Sequence, residues 1–508
     1  MITNYLKITL RYLWRHKVYS FINIFGLAVG LTCALLIMLW VQDELSYDQF
    51  HSKSDNIYRI EQDQVYDGAK YHVNVTPWPC VPVWKEKIPE VIDATRAGNV
   101  GGRSFRYGEN SFVENNVIAV DPSFFSIFDF ELLSGDANSV LNDPFSVILA
   151  EKTASKYFGE KDPIGEVLTV DAQFNLTVSG VMEKAPNNTS FAPAMVVSID
   201  FAKDLGDYNE SWGNNSIRSY ALLTDNADLS EVNRKLTEVV NNHRDEESLT
   251  TYMVNLLTRI HLHGYFGFDN SGQAVMRLYI FSIIAGFVLL IACINFMNLS
   301  TARSANRARE IGIRKVVGAY RRDLIIQFLG ESLFLTFFAV LLALSMVFYL
   351  LPVFNSISGK MLDGSVLLQP NFILGLIVIT LLTGLIAGSY PAFFLSAYRP
   401  VKVLKGNTSQ GNSQTLRQAL VILQFTLSII LIIATIVVNQ QLNYSINKDL
   451  GFDKENVISL NISGSKKDNY EAFRLELLQS PQILGITASS HRPTNIGSNS
   501  GGADWDGK

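Results

Sequence analysis

Three cysteines are all that the 508 residues contain, and two of them, Cys33 and Cys293, fall inside long apolar runs. Only Cys80 lies in a polar region, so no disulfide can staple that region from within. Also missing is any Gly-x-x-x-x-Gly-Lys-[Ser/Thr] phosphate loop. Without that cradle the chain is expected to be no enzyme and to carry no cofactor, and any ATP must be bound and hydrolysed by a separate subunit. There is no nucleophile–base pair, no framed pair of catalytic carboxylates and no nucleic-acid motif. His261-Leu-His263 could hold a metal if both rings shared a strand face, but no third ligand stands near it, which favours a structural or solvated pair.

Charge is the most informative absence. A net charge of −5 and 48% hydrophobic residues would suit a large soluble protein. Yet five runs, Phe21 to Val41, Leu278 to Leu299, Ser332 to Leu351, Phe372 to Tyr398 and Ala419 to Val438, lack any charged residue over about the 20 positions that cross a bilayer core. Acids are scarce in the segments before the first run, between the second and third, and between the fourth and fifth, which together hold 15 basic and 3 acidic residues. The remainder holds 27 basic and 44 acidic residues. This alternation predicts a multi-pass membrane protein with its N-terminus in the cytoplasm and the large segment after the first span outside. The first run is followed directly by Gln42-Asp43-Glu44 with no small-x-small site, which predicts an uncleaved anchor. Before it, Lys7, Arg11 and Arg15 fall on one side and Ile2, Leu6, Leu10 and Trp14 on the other, as in an interfacial helix; an unstructured topogenic tail is the alternative.

The segment 42–277 is long enough for one or two compact modules. Strands are expected at Ser146 to Ala150, Val167 to Val170, Leu176 to Val181 and Tyr220 to Leu223, where β-branched residues sit between turn signals. Helical spacing of Leu229, Val232, Leu236, Val239 and Val240, and a short run from Thr153 to Phe158 stopped by Gly159, make it α+β. Nothing in its Asn-rich loops identifies a ligand.

Between the second and third spans stands Arg307-Ala-Arg-Glu-Ile-Gly-Ile-Arg-Lys-Val-Val-Gly-Ala-Tyr-Arg-Arg322. On a helical projection Arg307, Glu310, Arg314 and Arg321 follow one stripe, and Ile313, Val316, Val317 and Tyr320 another. Glu310 precedes Arg314 by four residues, the helix-supporting order, and Gly312 and Gly318 would allow close backbone approach. Two readings stay open: a basic loop holding anionic membrane lipids, or a docking helix whose charged stripe faces a cytoplasmic partner. Gly26-x-x-x-Gly30 and Gly384-x-x-x-Gly388 are small-residue patterns that let spans pack closely, though glycine is common in such helices. Pro391 is expected to kink or end the fourth span, and Asn295 and Gln424 to hydrogen-bond between helices.

A repeat of about 400 residues links Trp40-Val-Gln-Asp-Glu-Leu-Ser-Tyr47 with Val438-Asn-Gln-Gln-Leu-Asn-Tyr444, and Asn56-Ile-Tyr-Arg-Ile60 with Asn456-Val-Ile-Ser-Leu460. Four spans per repeat would make the halves parallel, and the sequence then reads as a fragment of a longer two-repeat protein.

Ala292-Cys-Ile-Asn-Phe-Met-Asn-Leu-Ser-Thr-Ala-Arg303, Arg309-Glu-Ile-Gly-Ile-Arg-Lys-Val-Val-Gly-Ala319, Gln327-Phe-Leu-Gly-Glu-Ser332 and Gly388-Ser-Tyr-Pro-Ala392, with Val120-Asp-Pro-Ser-Phe-Phe125 and Pro163-Ile-Gly165, resemble the MacB/FtsX-like permease family of ABC transporters. The resemblance implies an α-helical transmembrane bundle with an α+β periplasmic domain inserted between the first and second spans. It implies an ATPase-coupling helix at Arg307, Glu310, Gly312, Arg314, Lys315 and Gly318, seated in a cytoplasmic ABC ATPase subunit, and mechanical transmission rather than a tunnel. Export or extraction of a hydrophobic or amphipathic substrate is the leading function; an FtsX-like regulator of periplasmic cell-wall hydrolases is the alternative. Other expected partners are a second permease half, as a dimer or pseudo-dimer, and a periplasmic adaptor or hydrolase. The expected parts are 1–41 (amphipathic helix and first span), 42–277 (MacB-like domain), 278–398 (FtsX-like domain), 399–438 (linker and fifth span) and 439–508 (start of a second periplasmic domain).

Overall fold

A computed structural model describes residues 17–66, 69–137, 139–244, 250–267, 272–302, 311–396, 411–449, 456–460 and 469–489. The amphipathic helix expected before the first span lies outside these residues, as do residues 450–455, 461–468 and 490–508 of the tail that the repeat pairs with the start of the insert. Among the described residues five helices are long and apolar enough to cross a membrane: Lys17–Leu45, Gln273–Ala302, Arg321–Ser358, Pro370–Ser396 and Gly411–Asn447. They take in the five charge-free runs, save the last two residues of the fourth, which fall outside the described residues. The fourth helix does not end at Pro391 but runs on to Ser396, as apolar helices can where neighbouring groups satisfy the freed backbone carbonyl.

The chain divides into two compact units, one of residues 1–47, 261–264 and 271–448, the other of 48–260, 265–270 and 449–508. In the helical unit the first four long helices share a core that includes Leu27, Leu31, Leu35, Phe296, Ala339, Ala343 and Phe372. The fifth helix leaves Ile422, Phe425, Ile429, Ile433 and Ile436 at least half exposed, the surface a lipid-facing helix presents. Asn298 Nδ2 donates to Gln424 Oε1 at 3.4 Å, a polar bond between the second and fifth helices.

The inserted unit is α+β. Its described strands are β1 (Ile57–Tyr66), β2 (Ala69–Val73), β3 (Thr76–Pro77), β4 (Val91–Asn99), β5 (Arg103–Tyr107), β6 (Asn110–Glu114), β7 (Val117–Val120), β8 (Leu132–Ser134), β9 (Ser146–Ala150), β10 (Val167–Val170), β11 (Phe174–Met182), β12 (Met195–Ser198), β13 (Asn215–Leu223) and β14 (Thr251–Leu256). They form one mixed sheet in the order β14-β1-β13-β4-β7-β12-β9-β11-β10-β5-β6, with β2 on β1, β3 on β13 and β8 on β11. The pairs β7/β12 and β9/β11 are parallel. Helix Leu229–Asn241 buries Val232, Leu236, Val239 and Val240, one apolar face at helical spacing, and these join Trp84 and Tyr252 in a core on the β14 side. The same helix guards the sheet edge: Thr237 Oγ1 accepts from Tyr252 N at 2.9 Å and Asn233 Oδ1 from Val254 N at 2.9 Å, which satisfies edge donors that would otherwise invite another strand. Glu151–Phe158 stops at Gly159, whose φ is 64°.

Candidate functional site

Among the described residues, the segment between the second and third spans is helical over 311–316. Its end is set by Gly318. With φ at +105°, Gly318 lets its own N–H reach the Lys315 carbonyl at 3.2 Å and the Ala319 N–H reach the Arg314 carbonyl at 3.0 Å, the paired closure that favours glycine just past a helix. Among the described residues nothing stands within 4 Å of where a Gly318 Cβ would be, and the glycine's backbone angle is what the turn requires.

Three contacts seat this helix on the bundle. Ile311 is 2% exposed and packs with Leu324 and Phe328 of the third helix and Ala392 of the fourth. Arg314 Nη1 donates to Gln327 Oε1 at 2.9 Å, and Gln327 Nε2 to Glu331 Oε1 at 3.2 Å. Lys315 Nζ donates to the Ser396 carbonyl, an end carbonyl of the fourth helix, at 2.7 Å. A cation there meets the negative end of the helix dipole. Partial burial, then the neighbouring Arg321 charge, hold the Lys315 ammonium below the ordinary lysine value.

Of the charged stripe, Arg314 is turned to the third helix and Arg321 is exposed. Arg314 and Lys315 are turned to the ends of the third and fourth helices, while Ile313, Val316, Val317 and Tyr320 are 52%, 64%, 82% and 78% exposed. Gly312 is buried. Arg307 and Glu310, the other two residues of the expected coupling set, lie outside the described residues.

Glycines mark the closest helix approaches. A Cβ on Gly30 would lie 2.5 Å from the Cβ of Ala292, one on Gly384 2.6 Å from Leu333 Cδ2, and one on Gly388 2.7 Å from Ser332 Cβ, whereas at Gly26 the nearest atom, Asn295 Nδ2, is an ordinary 3.4 Å away. Gly30→Leu should then cost about 1–3 kcal/mol of packing, read as a fall in the thermal unfolding temperature in detergent. Gly26→Ala should leave that temperature close to native.

In the insert, sequence reasoning missed a buried ionic network. Arg59, Glu61 and Asp63 alternate along β1 and so share one face, and the register sets Asp63 opposite His72 of β2. The His72 Nδ1 lies 2.7 Å from Asp63 Oδ1, and its Nε2 lies 3.1 Å from Glu61 Oε2. Glu61 also accepts from Arg59 Nε at 2.6 Å and from Asn255 Nδ2 at 3.1 Å. Carboxylates only accept, so an imidazole facing one with each nitrogen must donate twice and carry its proton. Burial alone would lower the His72 pKa; the bonds to the two carboxylates outweigh it and hold the imidazole above its ordinary value. Burial likewise would raise Glu61, but His72 and Arg59 hold it below the usual carboxylate range. The signal in the sequence was Arg-x-Glu-x-Asp inside a strand, which in isolation reads as a solvent face.

His261 and His263 sit on helix Leu257–His263, not on a strand; two residues apart on a helix, they point to different sides. Among the described residues no group of three His, Cys, Asp or Glu could hold a metal ion.

Family models for the MacB-like periplasmic core domain and the FtsX-like permease C-terminal region match residues 20–239 and 282–400. The macrolide export ATP-binding/permease protein MacB of Bdellovibrio bacteriovorus is 27% identical over 260 residues, 51% of this chain and 38% of that protein. The chain thus spans well under half the length of that relative. The uncharacterized ABC transporter permease YknZ of Bacillus subtilis is 26% identical over 326 residues, 63% of this chain and 76% of YknZ. The periplasmic region of MacB from Actinobacillus actinomycetemcomitans aligns with a TM-score of 0.31 at 14% identity, over 41% of this chain and 91% of that structure.

Proposed function

The chain belongs to the MacB/FtsX-like permease family, and from that premise we propose that it is the membrane-spanning subunit of an ABC-type export machine of the mechanical kind. In this reading a separate cytoplasmic ATPase grips segment 311–319, the third and fourth helices move with it, and the inserted domain acts outside the membrane. The basic loops then lie in the cytoplasm, in keeping with the charge bias. The cargo is a hydrophobic or amphipathic molecule such as a drug, peptide or lipoprotein, a class suggested by the macrolide export in the name of the MacB relatives.

The observation that carries this reading is how segment 311–319 is built. Its buried face is pinned to two helices at once, by Ile311, Arg314 and Lys315, so a push on it is delivered to both. Its exposed face offers three apolar side chains, Ile313, Val316 and Val317, with Tyr320 directly after them, the composition of an interface core rather than of a solvated loop. Val317→Asp tests the docking. At an exposed position it should leave the fold within about 0.5 kcal/mol of native, yet it would bury an unpaired carboxylate in the interface. Recovery of the cognate ATPase on the purified permease should fall by about tenfold or more. Full recovery would remove this segment as the docking point.

A further inference from the structure

On the side of the bundle where the first helix ends, five residues from three separate stretches of the sequence form a polar cluster. Lys360 Nζ lies 2.6 Å from Asp43 Oδ2 and 2.6 Å from Glu44 Oε1. The other Glu44 oxygen, Oε2, lies 2.8 Å from His261 Nε2. The imidazole stacks on Tyr47 at 3.5 Å between centroids and 4° between planes, and the Lys360 ammonium sits 5.0 Å from the centroid of that same ring. The side chains of Lys360, Asp43 and Glu44 are 14%, 15% and 10% exposed, so these are not the water-screened pairs that contribute little.

The lysine is held in position. The third helix ends at Gly359, whose φ of 69° turns the chain back. Asn355 then braces the loop, its Nδ2 donating to the Leu362 carbonyl at 2.8 Å and its Oδ1 accepting from Leu362 N at 3.2 Å. Burial opposes the Lys360 charge, but the bonds to Asp43 and Glu44 outweigh it and raise the ammonium above its ordinary value. Asp43 and Glu44 are neighbours on one helix end. With the lysine they attract a common centre; without it they are two shielded carboxylates side by side, and attraction becomes repulsion.

The location gives the cluster its meaning. The inserted unit begins at Asp48 and its main run ends at Ile260, so Tyr47 and His261 flank the chain's entry into the insert and its return. We propose that Asp43, Glu44, Tyr47, His261 and Lys360 form a latch in which Lys360 fastens both of these chain crossings to the end of the third helix. Movement of the third helix then reaches the insert only while the latch is closed. What that movement serves rests on the ATPase-driven reading above; the fastening is a property of the resting protein.

The latch is tested in the full chain in lipid nanodiscs, without ATPase, by pulsed electron-spin distance measurement. Nitroxides are placed at Ile357, which is 81% exposed, and at the exposed His263, with Cys33→Ser as background. Lys360→Met should shift the distance to longer values and broaden it, while Lys360→Arg, which keeps the charge, should keep the native distribution. A native distribution in Lys360→Met would overturn the latch, and so would loosening in Lys360→Arg equal to that in Lys360→Met. Because no ATPase is present, failure of the docking experiment would leave this result standing.

Discussion

Replacing His72 with alanine should cost the inserted domain about 3–5 kcal/mol, a large share of the roughly 5–15 kcal/mol that holds an ordinary domain folded. The loss would not come from the ring's packing alone. Asp63 and Glu61 are both buried, and the imidazolium is the group that sits between them at 2.7 and 3.1 Å. Glu61 would keep Arg59 and Asn255, but among the described residues Asp63 would keep only the 3.4 Å contact to Lys70, a side chain 74% exposed. A buried carboxylate with so little compensation is what makes removal of one partner expensive. The damage should spread to the β2 backbone, which exchanges hydrogen bonds with Gly267 at 3.0 and 2.8 Å, and to Tyr265, whose ring stacks on His72 at 4.2 Å. Thermal unfolding of the full chain in detergent, with a limited-proteolysis readout confined to the insert, measures the effect.

The same network gives a signed pH dependence. The folded-state pKa of His72 lies above its unfolded value, so its contribution is complete below the unfolded value and is lost as pH rises through the folded one. Glu61 runs the other way. Its depressed pKa means a contribution present above the ordinary carboxylate value and lost as pH falls through the folded one. The insert of the native chain should therefore lose stability on the alkaline side of neutrality, and His72→Gln, which cannot titrate, should be less stable at neutral pH and flat over that range. A native chain whose insert unfolds at one temperature from neutral to alkaline pH would mean that the imidazole is neutral and the network differently bonded.

Much of the fold was legible because bilayer crossing and strand alternation leave local marks. The absence of charge located the five long apolar helices found among the described residues, and β9 and β10 begin and end at the expected residues, Ser146 to Ala150 and Val167 to Val170. What stayed hidden depended on pairing over distance. Lys360 meets Asp43 and Glu44 across more than three hundred residues, and no periodicity reports such a meeting. The Arg59-x-Glu61-x-Asp63 alternation was visible, but whether its face is wet or buried is decided by β2 and β14 on either side of it. In the segment after the second long helix, a projection shows the stripes but not the contacts that their members make. A projection assumes that charge seeks water. Here Arg314 and Lys315 find better partners at two helix ends, Gln327 and the Ser396 carbonyl, and the apolar stripe is left outside.

The largest effect on the proposed activity should come from a buried residue of segment 311–319. Ile311 is 2% exposed among Leu324, Phe328 and Ala392; Ile311→Asp would put a carboxylate among these apolar side chains, at a cost of several kcal/mol. The four long helices with the shared core have their own packing through Leu31, Ala339, Ala343 and Phe372, so the cheaper response is for segment 311–319 to lift off while the bundle stays folded. The apolar stripe of Ile313, Val316, Val317 and Tyr320 would survive chemically, but it would be attached to the third helix by a tether instead of a seat. The expected result is that the permease still recovers its ATPase, more weakly, and that ATP turnover continues while substrate movement falls to the level without nucleotide. Val317→Asp should do the reverse, losing the ATPase and leaving the seat intact. Measuring ATP turnover and substrate movement on the same reconstituted complex separates the two. If Ile311→Asp reduced both in proportion, the seat would be part of the docking surface, and transmission through the third and fourth helices would have to be abandoned.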